Sequence, residues 1–161
     1  MKRRNNSDRP KPSAYDKALG LLARREQSRR ELKRKLGQGG YEPDEAAAAL
    51  DRLGEQRYQD DERFAGMLVR NRAGQGYGPV RIRMELKTHG VDDATISQLL
   101  DDADTDWLVN AAGQLRKRYG GKPAVDHAER AKRAQFLLRR GFSAATVRNV
   151  THAEVDDADD D

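Results

Sequence analysis

Apolar residues along this chain fall at helical spacing, in short stripes that glycine or an acidic residue cuts off. The clearest case is Gly76 to Val91, GYGPVRIRMELKTHGV. Gly78 is a fit N-cap and Pro79 suits the first helical position, where a missing N–H costs nothing. Gly90 supplies a left-handed residue to close the helix, and Val91 is placed for the apolar contact that often follows such an end. Ile82 and Leu86 share one face, while Val80 and Met84 point to nearly the opposite side. A helix apolar on two sides is expected to pack between neighbours.

The pattern recurs. Gly40, Gly90 and Gly141 are each followed by a large apolar residue (Tyr41, Val91, Phe142) and then by a helix starter. Leu32 and Leu36 stand where Ile82 and Leu86 stand, and Leu137 keeps the register of Leu86, although Arg133 falls at the place of Ile82. The helices ending at these glycines begin at Ser28, Gly78 and Asp126, and Ser28 with Glu31 forms a capping box, as does Asp126 with Glu129 more loosely. Three units of this kind read as a tandem repeat.

The remaining stripes complete each unit. Ala18, Leu19 and Leu22 predict a helix over 14–25, and Pro43 opens one with Ala46, Ala49, Leu50 and Leu53 that Gly54 follows. Asp60 and Asp61 start a helix carrying Phe64, Ala65, Leu68 and Val69, which ends at Gly74. Ile96, Leu99 and Leu100 mark another. Asp104 or Thr105 precedes a helix with Trp107, Leu108, Ala111, Ala112 and Leu115. Gly120, Gly121 and Pro123 break the chain before a helix over about 128–140, and Val147 and Val150 mark a short last one. No alternating stretch is long enough for a sheet. The expected fold class is all-α, with three tandem three-helix repeats at 13–57, 58–103 and 104–151 in an elongated array, between a basic disordered tail at 1–12 and an acidic disordered tail at 152–161.

Composition changes this picture in four ways. Only 36% of the residues are hydrophobic and another 36% are charged, which favours stacked small units over one large core. The absence of cysteine removes disulfide and thiolate chemistry and suits a reducing, cytoplasmic setting. No apolar run approaches the roughly 20 residues of a spanning helix, so no membrane partner is expected. The formal net charge of +4 is unevenly spread: residues 22–36, 68–90 and 115–141 are strongly basic, whereas 92–106 hold six Asp and no cation. Basic charge therefore gathers on the first two helices of each unit. It is either a solvated face or an extended surface for a polyanion or an acidic protein groove. The acidic C-terminal segment is either a solubility device or a competitor for the same anion.

Catalytic signatures are missing. The loop Gly74-Gln75-Gly76-Tyr77-Gly78 follows a helix and lacks the Lys-Ser/Thr ending of a phosphate loop, so it reads as a flexible turn whose N–H groups could touch one phosphate. His89, His127 and His152 show no metal-ligand spacing. Asp92 with Asp93 and Asp101 with Asp102 sit at helix ends, where capping and solubility explain them better than acid–base chemistry. Tyr41, Tyr58, Tyr77 and Tyr119 fit inter-helix joints better than base stacking. No enzyme, cofactor or metal is expected.

Four stretches, SRRELKRKLGQGGY (28–41), YQDDERFAGMLVRNR (58–72), GYGPVRIRMELKTHGV (76–91) and FLLRRGFSAATVRNV (136–150), resemble the RecX family, regulators of the bacterial RecA recombinase. The resemblance implies a monomeric crescent of three repeats that lies along the helical groove of the RecA filament on single-stranded DNA. It implies inhibition of RecA's ATPase and strand-exchange activities and limited filament growth, and so a place in homologous recombination, DNA repair and the SOS response. Carried over by charge and motif position, the partner- and DNA-binding residues are Arg24 and Arg25 in the first unit and Arg70, Arg72, Arg81, Arg83 and Lys87 in the second. In the third they are Arg116, Lys117, Arg118, Arg139 and Arg140. On the helix of 79–88, Arg83 and Lys87 are expected to stay available, and Arg81 to be partly engaged by Glu85 four residues on. The alternative is a sequence-nonspecific DNA-binding protein acting without a recombinase, and a pure scaffold comes third.

Overall fold

The computed structural model of the chain describes residues 9–156. Among them are nine helices and no strand: α1 (Ala14–Arg24), α2 (Arg29–Gln38), α3 (Pro43–Glu55), α4 (Asp61–Gly74), α5 (Pro79–Thr88), α6 (Asp93–Asp102), α7 (Trp107–Tyr119), α8 (His127–Arg139) and α9 (Ala144–Thr151). They make three three-helix repeats in tandem. The chain divides into two compact units, residues 1–64 and 65–161. The first holds α1–α3 and the opening turn of α4; the second holds the rest.

In the first unit, Ser13 caps α1 by accepting from the Asp16 N–H at 3.0 Å, and Ser28 caps α2 through the Glu31 N–H at 3.1 Å. Ala14, Ala18, Leu32, Leu36, Tyr41, Ala46, Ala49, Leu50 and Leu53 form its core, with Leu19 and Leu22 packed at the edge. The small alanines of α1 and α3 let these helices approach closely, and the leucines of α2 and α3 fill the space between them. Helix α3 runs through Gly54, which meets nothing within 4 Å of an added Cβ, and stops instead where Arg57 turns left-handed at φ 58°. The stop is local: the Arg57 N–H donates to Gly54 O at 3.0 Å, and the Tyr58 and Gln59 N–H groups both donate to Leu53 O, at 3.0 and 3.2 Å. Gln59 is buried and donates to Gln27 O at 3.3 Å and to Asp61 Oδ1 at 2.9 Å, and that carboxylate also takes the Arg29 N–H at 2.9 Å. Satisfied polar groups at such depth fix the geometry of the start of α2.

The segment expected as a basic tail is not free throughout. The Tyr41 hydroxyl donates to Pro12 O at 2.7 Å, and Lys11 Nζ lies 4.1 Å from the Tyr41 ring centre. Residues 1–8 lie outside the described residues.

The repeated glycines close their helices in one way. In α2, α5 and α8 the glycine N–H bonds back to Gly37, Lys87 and Leu138 O at 3.0 Å, and the apolar residue after it to Leu36, Leu86 and Leu137 O at 3.1–3.2 Å. This double bond to the last turn requires a left-handed residue, and Gly40, Gly90 and Gly141 have φ of 82°, 78° and 92°. Tyr41, Val91 and Phe142 are thereby turned inward and buried.

In the second unit Ile82 and Leu86 are fully buried, as expected. Val80 and Met84 are not: they are 47% and 65% exposed, so α5 has one core face and not two. The N-terminus of α5 meets the C-terminus of α8 backbone to backbone. The Gly78 N–H donates to Arg140 O at 2.8 Å and the Val80 N–H to Gly141 O at 2.9 Å. The loop of 74–78 is thus a packing joint and not a flexible turn, and the N–H groups of Gly78 in the loop and of Val80 in the first turn of α5 are taken by protein. A Cβ on Gly78 would come within 2.4 Å of Gly141 and Phe142 backbone atoms, and one on Gly76 within 2.2 Å of the Gln114 side chain.

The third core comprises Ala111, Ala134, Leu137, Phe142, Val147 and Ala153, with Trp107, Leu115, Phe136, Leu138, Val150 and Val155 packed against it. Asp106, not Asp104 or Thr105, caps α7, accepting from the Val109 N–H at 3.1 Å. Arg133, at the position of Ile82, is drawn inward and neutralised by Glu129 at 2.7 Å. The acidic segment begins inside this core: Ala153 is buried, and Arg148 donates to Val155 O at 2.7 Å. Its residues 157–161 lie outside the described residues.

Candidate anion-binding surface

The basic residues singled out from the sequence divide by what they touch. In the first unit Arg24 ends α1 exposed, with no ion-pair partner among the described residues. Arg25 is engaged: with Lys35 it closes on the Glu31 carboxylate, whose side chain is only 9% exposed. Burial alone raises the Glu31 carboxyl, but the bonds from Arg25 and Lys35 outweigh it and hold the group below its ordinary value.

In the second repeat most of the charge is already paired. Arg72 grips Glu85 with Nε at 2.8 Å and Nη2 at 2.6 Å, a bidentate pair that lowers the Glu85 pKa and raises that of Arg72. Arg83 and Lys87, expected to be available, both face Asp93, at 3.9 and 3.2 Å, and Arg83 also donates to Ser97 Oγ at 3.1 Å. Arg81 was expected to share Glu85. It does so only through its charge, which helps to hold the Glu85 carboxyl low, because Arg72 bonds both carboxylate oxygens and the Arg81 guanidinium lies over the Tyr77 ring at 4.1 Å. Arg70, on α4, is exposed without an ion-pair partner among the described residues.

The third repeat has the opposite balance. Arg116, Lys117 and Arg139 are exposed and unpaired among the described residues, and Arg118 lies over the Phe136 ring at 5.7 Å. Arg140 is a structural clamp. Its Nη2 donates to Gln75 O at 2.7 Å and Gln114 Oε1 at 3.3 Å, its Nε to Gly76 O at 3.3 Å, and its charge sits over Tyr77 at 4.2 Å. A cation on the terminal carbonyls of α4 also complements the negative end of that helix. The reason for the contrast is local composition: α6 supplies Asp93 to its own repeat, while 115–141 contain only Asp126 and Glu129, both used at the start of α8.

Two participants were not visible as such in the sequence. Gln114 reaches Arg140 from 26 residues away, and Tyr77 gathers two guanidiniums on its ring. Tyr41 and Tyr119 are taken up by packing, the latter edge-on to Phe136 at 5.8 Å. Tyr58 is half-exposed. The described residues contain no group of histidines and acids able to hold a metal, and no helix long and apolar enough to cross a membrane. Asp92 is a cap, held below its usual range chiefly by the Thr95 N–H it accepts at 2.7 Å.

Comparison with known proteins bears on this arrangement. Residues 14–53 match the first three-helix domain described for RecX, 60–100 the second and 104–151 the third. The chain is 50% identical over 141 residues to the regulatory protein RecX of Xanthomonas axonopodis pv. citri (strain 306), covering 88% of this chain and 87% of that one. It is 48% identical to the regulatory protein RecX of Stenotrophomonas maltophilia (strain K279a), covering 88% and 86%. In fold it is similar to the crystal structure of RecX from Lactobacillus salivarius, with a TM-score of 0.71 at 24% identity over 86% of this chain and 92% of that one. With all three domains present in order, and with this identity across most of its length, the chain belongs to the RecX family of regulatory proteins.

Proposed function

We propose that the protein is a negative regulator of RecA. In this reading it binds in the groove of the RecA–single-stranded DNA filament as a cytoplasmic monomer, inhibits ATP hydrolysis and strand exchange, and limits filament growth. The observation that carries the reading is the ordered presence of the three RecX domains over 14–151. The charge distribution is compatible with it. The unpaired Arg116, Lys117 and Arg139 offer a polyanion its strongest sequence-indifferent attraction, whereas Arg72 is paired with Glu85, and Arg83 and Lys87 share the single carboxylate of Asp93.

The test is DNA-dependent ATP hydrolysis by RecA, titrated with wild-type protein and with the triple variant R116Q/K117Q/R139Q after both pass a folding check. Wild type should inhibit well below one molecule per DNA site, which masking of the strand cannot do. The triple variant should need several-fold more protein. No inhibition by wild type at any ratio removes the regulatory reading. Inhibition only at saturating coverage favours the alternative of a DNA-binding protein acting without a recombinase, to which the unpaired cations of α7 and α8 also lend themselves.

A further inference from the structure

The four cations around α5 do not have the same fate. Arg72 bonds both Glu85 oxygens, and Asp93 is taken by Arg83 and Lys87, so Arg81 makes no direct ion pair and meets Glu85, one turn away, only through its charge. Stacking on Tyr77 at 4.1 Å orients its guanidinium without neutralising it. The second guanidinium over that ring, Arg140, is held only by carbonyl and amide oxygens, which are neutral. Two like charges are therefore fixed around one aromatic ring, and Glu85, the carboxylate that feels Arg81, is already bound through both oxygens by Arg72. Beside Arg81 and Tyr77 lies a shallow depression lined also by Arg72, Gln75, Met84 and Glu85. Met84 is exposed there, so approach from solvent is open.

We infer that Tyr77 is a positioning residue for a phosphate seat: its ring holds the Arg81 and Arg140 guanidiniums in fixed orientations as prearranged charges for the phosphodiester backbone of single-stranded nucleic acid. This deepens the proposed function and rests on its reading that the surface meets nucleic acid. Planar guanidiniums suit phosphate because each can offer two parallel N–H groups to its oxygens. An orientation fixed before binding lowers the ordering cost that a free arginine would meet. Arg81 supplies the movable contact from α5, and Arg140 supplies a fixed charge anchored to the end of α4. Tyr77 touches neither phosphate nor base in this arrangement and acts through the two arginines.

The test is fluorescence anisotropy of a labelled oligothymidylate titrated with full-length wild type, Y77F, Y77L, R81K and R81Q across a range of salt, with circular dichroism as a folding check. R81Q should weaken binding by roughly three- to ten-fold at low salt and reduce the slope of log affinity against log salt by about 0.7, the share of one phosphate on a single strand. Y77F keeps the ring and should bind as wild type. Y77L keeps every charge and should nevertheless weaken binding about as much as R81Q, and the two changes combined should cost little more than either. R81K retains charge on a folded surface position and should recover only part of the loss, which keeps the test decisive if Y77L fails to fold. Y77L binding like wild type, or R81K binding as well as arginine, would overturn the inference, as would an unchanged R81Q. RecA ATPase inhibition by wild type is measured in parallel. Inhibition without any effect of these variants on DNA binding defeats the seat alone. Variant-sensitive DNA binding without inhibition defeats the regulatory reading alone.

Discussion

Substituting Gly141 by alanine should damage the fold far more than the same change at its repeat equivalent, Gly40. Both are left-handed, at φ 92° and 82°, so each alanine meets a backbone penalty of about 1 kcal/mol. Their surroundings differ. An added Cβ at Gly40 meets only Lys11 Nζ at 3.3 Å, the mobile end of a side chain, whereas at Gly141 it comes to 2.3 Å from Arg81 Cβ and 2.7 Å from Arg81 N. The start of α5 must then withdraw, opening the bonds from Gly78 to Arg140 O and from Val80 to Gly141 O. Each contributes about 1 kcal/mol, and more if its groups stay buried and unpaired. The expected cost at Gly141 is about 3–5 kcal/mol, against about 1 kcal/mol at Gly40. Because the two glycines lie in different compact units, each variant is best read by urea denaturation together with amide exchange inside its own unit. G141A should unprotect the Gly78 and Val80 amides. The double variant G78A/G141A should cost less than the sum of the singles, since either change alone opens the joint. Equal costs at Gly40 and Gly141, within about 0.5 kcal/mol, would refute this account of the joint.

Three further outcomes are expected. Arg57 ends α3 at φ 58°, where glycine is unstrained, so R57G should raise stability by up to about 1 kcal/mol in chemical denaturation; a loss of stability would show that the arginine side chain matters more than its backbone. Glu85 and Glu31 have lowered folded-state pKa values, so their contribution is complete above the ordinary carboxylate range and fades as pH falls through the folded values; melting temperature measured from pH 7 to pH 3 should therefore drop on the acid side, and less steeply in E85Q. Reversing Arg83 and Lys87 to glutamate places two acids beside Asp93 and should lower stability by about 1 kcal/mol at low salt, with recovery as salt rises; a salt-independent loss would point to packing.

The helices and most of their ends were legible in the sequence because their causes are local. Ser28, Asp92, Asp126 and Ser143 accept an N–H three residues on, and the three glycines provide a conformation that the helix end needs whatever surrounds it. The same holds for Ile82, Leu86 and Leu137, whose spacing alone puts them on a buried face. The repeat and the family followed from these motifs.

What the local pattern could not carry was which charged and apolar side chains would find partners. Arg72 takes Glu85 from 13 residues away, so the i,i+4 neighbour Arg81 reaches it only through its charge and makes no direct bond. Asp93 reaches back to Arg83 and Lys87 from the next helix, and Arg140 bonds to Gln75, 65 residues earlier. Val80 and Met84 stay exposed among the described residues, a fact absent from the periodicity of α5 itself. Hydrophobic spacing and capping act within a few residues and therefore specify elements. Ion pairs and backbone joints depend on distances set by the packed chain, so the tertiary structure decided which cations remain free to meet an anion.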